Sequence, residues 1–253
     1  MPHDGFDIHR VLNKYSLTFI LVVFFLVSAL MFAYAMKLRS ISHSINFSVA
    51  AQAGDQLLNP AGRNLPSQHK PPVPGVGPTE GNANASLKIV EFTDYQCTLC
   101  GRYFTETYQQ LKENYIDTDK LRYEVRNFPL TNIHPNAMAA AEAAVCARRQ
   151  GKFWDMHAKL FSNQSRWGDL ADPLPSFKDY ATQIGLNADT FGDCLDQNQP
   201  QKEIEQDMAD AERAGIDGTP SMWIFGAKDR VQQVNGTYPY RYFVRQFARL
   251  LRP

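Results

Sequence analysis

An uncharged apolar run near the N-terminus restricts the possible architecture of this chain more than any other feature. Ser16 to Met36 reads SLTFILVVFFLVSALMFAYAM, 21 residues without an acidic or basic side chain. About 20 apolar residues are needed for a helix to cross a bilayer, and a soluble helix of this length normally carries a polar stripe. The sequence therefore predicts a transmembrane anchor at 16–36, preceded by an N-terminal tail at 1–15.

A cleaved signal peptide is the alternative interpretation of the same segment. Ala33-Tyr34-Ala35 resembles the small-residue site at which signal peptides are cleaved. The apolar run is long for a signal peptide, which favours the uncleaved anchor. Two basic residues precede the run and two follow it closely, so the flanking charges do not determine its orientation.

A juxtamembrane segment and linker are predicted at 37–86, with a folded domain at 87–253. Residues 59–86 are rich in proline, glycine and asparagine and show no apolar periodicity, which is typical of a linker. The whole chain has 26 basic and 26 acidic side chains. A nucleic-acid-binding protein usually has a basic excess, so this balance argues against nucleic acid as a partner.

The predicted domain begins with a strand at 87–92, a helix at 98–114 and a strand at 121–128. A helical block follows, inserted at about 134–214, and then a β-hairpin and a last amphipathic helix. A strand-helix-strand unit and a later hairpin can share one mixed sheet. The fold class is therefore α/β. The predicted later elements are helices at 137–149, 152–161, 176–184, 188–195 and 201–214, strands at 221–225 and 231–234, and a helix at 240–251.

Two cysteines, Cys97 and Cys100, lie between the first predicted strand and the first helix. A zinc site usually needs four ligands, and His134 and His157 lack the usual ligand spacing, so no metal is expected. A structural disulfide across two residues closes a very small loop and gains little chain entropy. A redox-active pair fits the position best.

The start of a helix is a favourable place for a thiolate. Backbone N–H groups without partners and the helix dipole stabilise negative charge there, which lowers the pKa of a cysteine at that point. We therefore expect Cys97 to be the exposed, attacking cysteine. Cys100, one turn inside the helix, is expected to be buried and to resolve mixed disulfides.

Two further features accompany the pair. Glu91 lies on the predicted strand that precedes the pair and is expected to approach Cys100, where a buried carboxyl group could exchange protons with a thiol. The alternative is an edge-strand glutamate in water. Gly218-Thr219-Pro220-Ser221 leads into a later strand, where proline is unusual and sometimes cis. The alternative there is a plain turn.

These segments resemble the thioredoxin fold, and specifically the DsbA-like family of thiol–disulfide oxidoreductases with a helical insertion. The matching pieces are EFTDYQCTLC, NFPLTNIHPNAMAAAEAAVCARRQGKFWDMHAKLF and GTPSMWIFG, in that order over most of 87–250. The resemblance implies that Cys97 attacks, Cys100 resolves, Glu91 is a buried acid and Pro220 is a cis-proline facing the pair. Thr219 is then expected to bind an extended substrate through its backbone.

Together with the predicted anchor at 16–36, the resemblance implies a membrane-anchored enzyme that introduces disulfides into extracytoplasmic proteins. Its partners would be unfolded or extended proteins with free thiols and a quinone-linked membrane protein that reoxidises the pair. Its location would be the cytoplasmic membrane, with the catalytic domain on the periplasmic side and no cofactor of its own. A reductase or isomerase of the same fold, or a non-enzymatic peptide-binding or chaperone module, remains an alternative.

The residues between the cysteines, Thr98 and Leu99, depart from the family pattern. They are expected to contact substrate, but neither is the proline or histidine often found there. Leucine cannot stabilise a thiolate, and the Thr98 hydroxyl can do so only in part. We therefore expect a reduction potential between the oxidising and reducing extremes of about −120 and −270 mV.

The two remaining cysteines, Cys146 and Cys194, fall in the first and fourth helices of the block. An extracytoplasmic location and an even cysteine count favour a structural disulfide between them. The alternative is a pair of buried thiols that pack as small apolar residues.

Overall fold

The computed structural model of this chain describes residues 70–252 and three isolated positions, Val27, Ser28 and Met31. The predicted tail at 1–15 and most of the predicted anchor and linker lie outside the described residues. None of the helices that the structure describes is both long enough and apolar enough to span a bilayer.

Five strands form one mixed sheet in the order β1-β3-β2-β4-β5. β2 and β3 are parallel, and every other neighbouring pair is antiparallel. The predicted combination of a parallel strand-helix-strand unit with a later hairpin is therefore confirmed. The strands are β1 (Thr79–Glu80), β2 (Leu87–Thr93), β3 (Leu121–Asn127), β4 (Ser221–Phe225) and β5 (Val231–Asn235).

The first helix, α1, covers residues 98–116. It is α-helical at Thr98–Tyr103 and Gln109–Leu111 and π-helical at Phe104–Tyr108 and Lys112–Ile116. Six helices of the insertion and one C-terminal helix follow in the described part of the chain. These are α2 (Ala137–Arg149), α3 (Phe153–Ser162), α4 (Gln164–Trp167), α5 (Leu174–Gln183), α6 (Ala188–Asp196), α7 (Gln201–Arg213) and α8 (Tyr240–Leu250).

The two faces of the sheet pack against different helices. Side chains alternate along β2, so Leu87 and Ile89 join the large core with α1, α8 and the insertion. Val90 and Phe92 point to the opposite face and pack with Ala211 of α7. Because both faces are covered, the central strand is buried on both sides, and a polar side chain on it is removed from water.

The folded domain begins earlier than the predicted boundary at Leu87. β1 lies within the stretch that is predicted to be a linker, and it pairs antiparallel with β3. Gly77 is needed for this contact because a Cβ there would lie 2.3 Å from the Val125 carbonyl oxygen. Glycine in this segment therefore serves close backbone packing, and the predicted linker at 37–86 is corrected at its C-terminal end.

A buried ionic cluster on β3 holds this N-terminal segment. The Glu124 carboxylate accepts hydrogen bonds from the backbone N–H groups of Gly75, Val76 and Gly77. Arg126 contacts Glu124 at 2.6 Å and donates to the Val73 carbonyl oxygen at 3.0 Å. The contacts of Glu124 and Arg126 with residues 73–77 join residues about 50 positions apart in the chain, so local sequence patterns do not reveal them.

Candidate active site

Cys97 lies at the junction between β2 and α1. Its backbone is extended, with φ −66° and ψ 121°, and it occupies the N-cap position of the helix that begins at Thr98. No side chain caps this helix end by hydrogen bonding. Serine, threonine, asparagine or aspartate usually fills an N-cap, so here a cysteine stands at a position that an oxygen-bearing side chain usually occupies.

The Cys97 side chain is less accessible than its predicted role required. The residue is 7% exposed, and its thiol donates to the carbonyl oxygen of Thr219 at 3.5 Å. The loop before β4 contacts the sulfur through this bond and contributes to the difference from the prediction of an exposed thiol. Cys100 is 0% exposed, and both cysteines are free thiols.

The two thiols have opposite electrostatic environments. A hydrogen bond from the Cys100 thiol is the largest influence that lowers the pKa of Cys97, to about 6, and it outweighs the effect of burial. The backbone N–H groups of Cys100 and Leu99 act in the same direction, as expected at a helix N-terminus. Burial raises the pKa of Cys100 well above its ordinary value. At neutral pH the pair therefore holds one thiolate, on Cys97.

The segment Thr219–Pro220 is placed beside the pair by strand pairing. β4 runs antiparallel to β2, with Ser221 opposite Phe92 and Met222 opposite Glu91. The residues just before β4 therefore lie at the end of β2 from which the chain turns into α1. The Thr219–Pro220 peptide bond is cis, and the Thr219 hydroxyl is buried without a hydrogen-bond partner in the described structure.

Glu91 lies in the middle of β2, on the sheet face that packs against α1. It is 2% exposed, so the alternative of a solvated edge-strand glutamate is wrong. Burial raises its pKa to about 7, and a hydrogen bond from Tyr123 opposes this effect. Within residues 70–252 its carboxyl group makes no direct hydrogen bond to Cys100.

The hydrogen-bond partner of Glu91 is Tyr123, which in turn contacts Tyr103, and neither tyrosine is assigned to the site from the sequence alone. The Tyr123 hydroxyl lies 2.6 Å from Glu91 Oε2 and 3.0 Å from the Tyr103 hydroxyl oxygen. Tyr103 is one turn after Cys100 in α1, and Tyr123 lies on β3. The tyrosines therefore connect the buried acid to the helix that carries the cysteines. From the sequence, Tyr103 could have been found only from its position one helical turn after Cys100.

Two glutamines tie the cysteine-bearing turn to the helical insertion, and neither was predicted. The Gln164 side chain donates to the carbonyl oxygens of Tyr95 and Cys97 at 2.7 and 2.9 Å. Gln96 donates to the Gly168 carbonyl oxygen at 2.7 Å and accepts from the backbone N–H of Asn136 at 2.7 Å. The insertion thus fixes the backbone that presents Cys97.

Thr98 and Leu99 lie at the protein surface beside the pair. Leu99 is 40% exposed, and Thr98 borders a cavity of about 600 Å³ between the turn and the insertion. The exposed apolar side chains of Ile133 and Leu170 also border this cavity. A bound polypeptide that reaches Cys97 would therefore meet Leu99 and the cavity wall.

The remaining residues that were singled out have other partners. Cys146 and Cys194 form a disulfide that joins α2 to α6, with their Cα atoms 5.9 Å apart. His134 pairs with Asp94 at 2.8 Å. His157 Nδ1 lies 2.9 Å from the Tyr95 hydroxyl, and burial lowers its pKa to about 3, so it is neutral at physiological pH.

Comparison with known proteins identifies the domain. A family model described as thioredoxin matches residues 75–234. Among curated proteins, the chain is 33% identical over 148 residues to the Na(+)/H(+) antiporter NhaA 3 of Salinispora tropica, covering 58% of this chain and 21% of that protein. It is 30% identical over 196 residues to NhaA of Herminiimonas arsenicoxydans, covering 77% and 28%. The chain thus spans about a quarter of the length of these relatives.

Solved structures with the same architecture are DsbA-like. α-DsbA1 of Wolbachia pipientis superposes with a TM-score of 0.62 at 24% identity, covering 71% of this chain and 92% of that one. Oxidised BdbD of Bacillus subtilis gives 0.63 at 21% identity, covering 72% and 96%. A thioredoxin-like oxidoreductase of Silicibacter pomeroyi gives 0.54 at 27% identity, covering 69% and 91%. The similarity covers the sheet together with its helical insertion.

Proposed function

The chain belongs to the thioredoxin family, and on this basis we propose that it is a thiol–disulfide oxidoreductase that introduces disulfides into extracytoplasmic proteins. The observation that carries the proposal is the asymmetry of the two thiols. Cys97 occupies the N-cap position of a helix and has its pKa lowered to about 6, whereas Cys100 is buried with its pKa raised. The Cys97 sulfur is therefore suited to act as nucleophile and leaving group, and the Cys100 thiol is suited to resolve a mixed disulfide.

The cycle begins with the Cys97–Cys100 disulfide. A substrate thiolate attacks the Cys97 sulfur, a bond forms between the two sulfurs, and Cys100 leaves with the electron pair. A second substrate thiolate then attacks the substrate sulfur of this mixed disulfide, and Cys97 leaves as a thiolate. The substrate loses two electrons and gains a disulfide, and the enzyme gains the two electrons as a Cys97 thiolate and a Cys100 thiol.

Glu91 supplies the proton that Cys100 needs on leaving. A buried thiolate with a raised pKa is unstable, so protonation favours its departure. Glu91 is buried on the sheet face beneath α1 and has a pKa of about 7, so it holds a proton in about half of the molecules at neutral pH. In the reverse direction the same carboxylate accepts the proton from Cys100.

The substrate binds as an extended segment across the surface of the pair. Thr219 and Pro220 lie on one side of the Cys97 sulfur, and Thr98 and Leu99 lie on the helix side. An extended peptide beside Thr219 can exchange backbone hydrogen bonds as an added strand does. Such binding selects unfolded or extended polypeptides and places few demands on their sequence.

The stabilised thiolate favours oxidation over reduction. Anything that stabilises the dithiol form makes the disulfide a stronger oxidant. The lowered pKa of Cys97 stabilises the dithiol form above pH 6. This observation supports an oxidase over a reductase or isomerase that uses the same fold.

The location belongs to the same proposal. The uncharged run at 16–36 would anchor the protein in the cytoplasmic membrane with the domain on the periplasmic side. The Cys146–Cys194 disulfide supports this, because structural disulfides persist in oxidising compartments. A quinone-linked membrane protein would then return the enzyme to its disulfide form.

Oxidation of a reduced, unfolded protein by the full-length chain in detergent tests the proposal. The oxidised wild-type protein should transfer one disulfide per molecule, and Cys97→Ser should abolish the transfer. Cys100→Ser, with Cys97 first converted to a mixed disulfide with glutathione, should instead release glutathione to a single-cysteine substrate and hold that substrate as a mixed disulfide through Cys97. A wild-type protein that leaves the substrate thiols reduced contradicts an oxidase.

A further inference from the structure

The buried carboxylate of Asp94 contacts four groups around the turn that carries Cys97. Oδ1 accepts from the backbone N–H groups of Gln96 at 2.7 Å and Cys97 at 3.2 Å. Oδ2 accepts from the backbone N–H of Leu130 at 2.9 Å and lies 2.8 Å from His134 Nδ1. The residue is 1% exposed, so these contacts replace nearly all of its hydration.

Oδ1 of Asp94 accepts from two backbone N–H groups in the turn immediately before α1. An aspartate that accepts from the second and third residues after it fixes a tight turn. Here the turn uses the N–H groups of Gln96 and Cys97. The N–H groups of Leu99 and Cys100, in the first turn of α1, have no acceptor within the helix, and they lower the pKa of Cys97.

The contacts of Oδ2 fix the same turn to the segment that follows β3. Leu130 and His134 come from that segment, 36 and 40 residues after Asp94. The carboxylate is therefore a bridge between two parts of the chain that meet at the end of the sheet. Its negative charge alone would disfavour a thiolate nearby, so its geometric and electrostatic effects on Cys97 are of opposite sign.

We propose that Asp94 is a positioning residue for thiol–disulfide exchange, which holds the turn so that the N–H groups of Leu99 and Cys100 point at the Cys97 sulfur. The inference rests on the proposed function and adds to it a residue that does not touch the reacting atoms. It predicts that the acceptor oxygen at position 94 has a larger effect on the pKa of Cys97 than the negative charge at that position.

Asp94→Asn and Asp94→Ala separate the two effects. The asparagine keeps an acceptor oxygen for Gln96 and Cys97 but has no charge, whereas the alanine has neither. The readout is the rate of Cys97 alkylation by iodoacetamide in the reduced full-length protein as a function of pH. Asp94→Ala should raise the pKa of Cys97 and slow alkylation at pH 5 by about tenfold. Asp94→Asn should alkylate at least as fast as the wild type.

His134→Ala is the matched control, because it removes a partner of Oδ2 and leaves the Oδ1 contacts in place. It should leave the pH profile of Cys97 alkylation unchanged. Far-UV circular dichroism and the presence of the Cys146–Cys194 disulfide verify that each variant is folded. If Asp94→Ala does not fold, Asp94→Ser replaces it, since a hydroxyl is a weaker acceptor in the same turn. Its Cys97 pKa should then lie above that of Asp94→Asn.

Two results overturn the proposal. One is a folded Asp94→Ala, or its serine substitute, with the same or a lower Cys97 pKa than Asp94→Asn, because charge alone would then explain position 94. The other is an unchanged profile in all variants. Both results are obtained with a wild-type protein whose Cys97 has a lowered pKa. If the proposed function fails, the wild-type Cys97 itself reacts as an ordinary cysteine, so the two failures are distinguishable.

Discussion

The thiol of Cys97 lies 3.5 Å from the carbonyl oxygen of Thr219, although 122 residues separate them in the chain. The contact exists because β4 pairs antiparallel with β2, which brings the residues before β4 to the start of α1. The Thr219 hydroxyl is buried without a partner in the described structure and also acts to lower the pKa of Cys97. It is therefore free to donate to a Cys97 thiolate.

Removing the Thr219 hydroxyl should destabilise the Cys97 thiolate. Thr219→Val keeps the shape of the side chain but not the donor, so we expect the pKa of Cys97 to rise and the reduction potential to fall. Thr219→Ser keeps the donor and should remain close to the wild type. The pH dependence of alkylation and a glutathione redox titration measure the two effects. A valine variant with a wild-type pKa would show that the hydroxyl has no role.

Glu91→Gln should change how stability depends on pH. The folded-state pKa of Glu91 is about 7, above its ordinary value of 4.5, so the folded protein binds the proton more tightly than the unfolded chain. Stability from this group is full below pH 4.5 and is lost as the pH rises through 7. Glutamine is neutral at every pH and can still accept from Tyr123. We expect the variant to be more stable than the wild type at pH 8 by roughly 3 kcal/mol.

Urea denaturation of the reduced protein at pH 4.5 and pH 8 checks the prediction for Glu91. The difference in free energy of unfolding between the variant and the wild type should be small at pH 4.5 and large at pH 8. The same difference at both values would mean that Glu91 is not protonated in the folded protein near neutrality.

Arg126→Met should destabilise the domain strongly. Arg126 is fully buried and pairs with Glu124 at 2.6 Å, Asp210 at 3.0 Å and Asp207 at 3.3 Å. Its removal leaves buried carboxylates without a counter-charge, which costs roughly 3–5 kcal/mol. Arg213→Met is the control, because Arg213 is exposed and its ion pair with Asp210 is worth less than about 1 kcal/mol. Equal effects on thermal unfolding in the two variants would contradict this account.

Replacing Cys146 and Cys194 by serine should affect stability and spare the chemistry. The disulfide closes a loop with a sequence separation of 48, and its loss should cost roughly 4 kcal/mol in the chain-entropy model. The pH profile of Cys97 alkylation should not change, because neither residue contacts the catalytic pair. A shifted profile in the folded double variant would mean that the insertion tunes Cys97 through this bond.

The architecture was largely predictable because the domain's strands and longer helices carry strong periodic patterns. The elements that were missed are short. β1 has two residues and α4 has four. β1 depends on pairing with Glu124 of β3, and Gln164 of α4 bonds the distant carbonyl oxygens of Tyr95 and Cys97, so local propensity predicts neither element. The proline and glycine in the predicted linker gave no indication that the backbone at Gly77 packs against Val125.

The candidate site was predictable only where chemistry follows from position in the chain. A cysteine pair between a strand and a helix indicates an acidic thiol, and Cys97 has one in the structure. Other residues of the site are brought together only by the fold, because each makes a hydrogen bond to a residue more than 30 positions away. These residues are Asp94, Gln96, Gln164 and Tyr123. The contact between the Cys97 sulfur and Thr219 also joins distant residues, so it too could not be predicted from the sequence.

The pH dependence of Cys97 alkylation in the reduced wild-type protein, with the modified residue located by mass spectrometry, tests the central claim most directly. The account predicts a midpoint near the pKa of about 6 and little modification of buried Cys100 below pH 8. A midpoint near 8.5, as for an ordinary cysteine, or no modification of Cys97 at all, would contradict it.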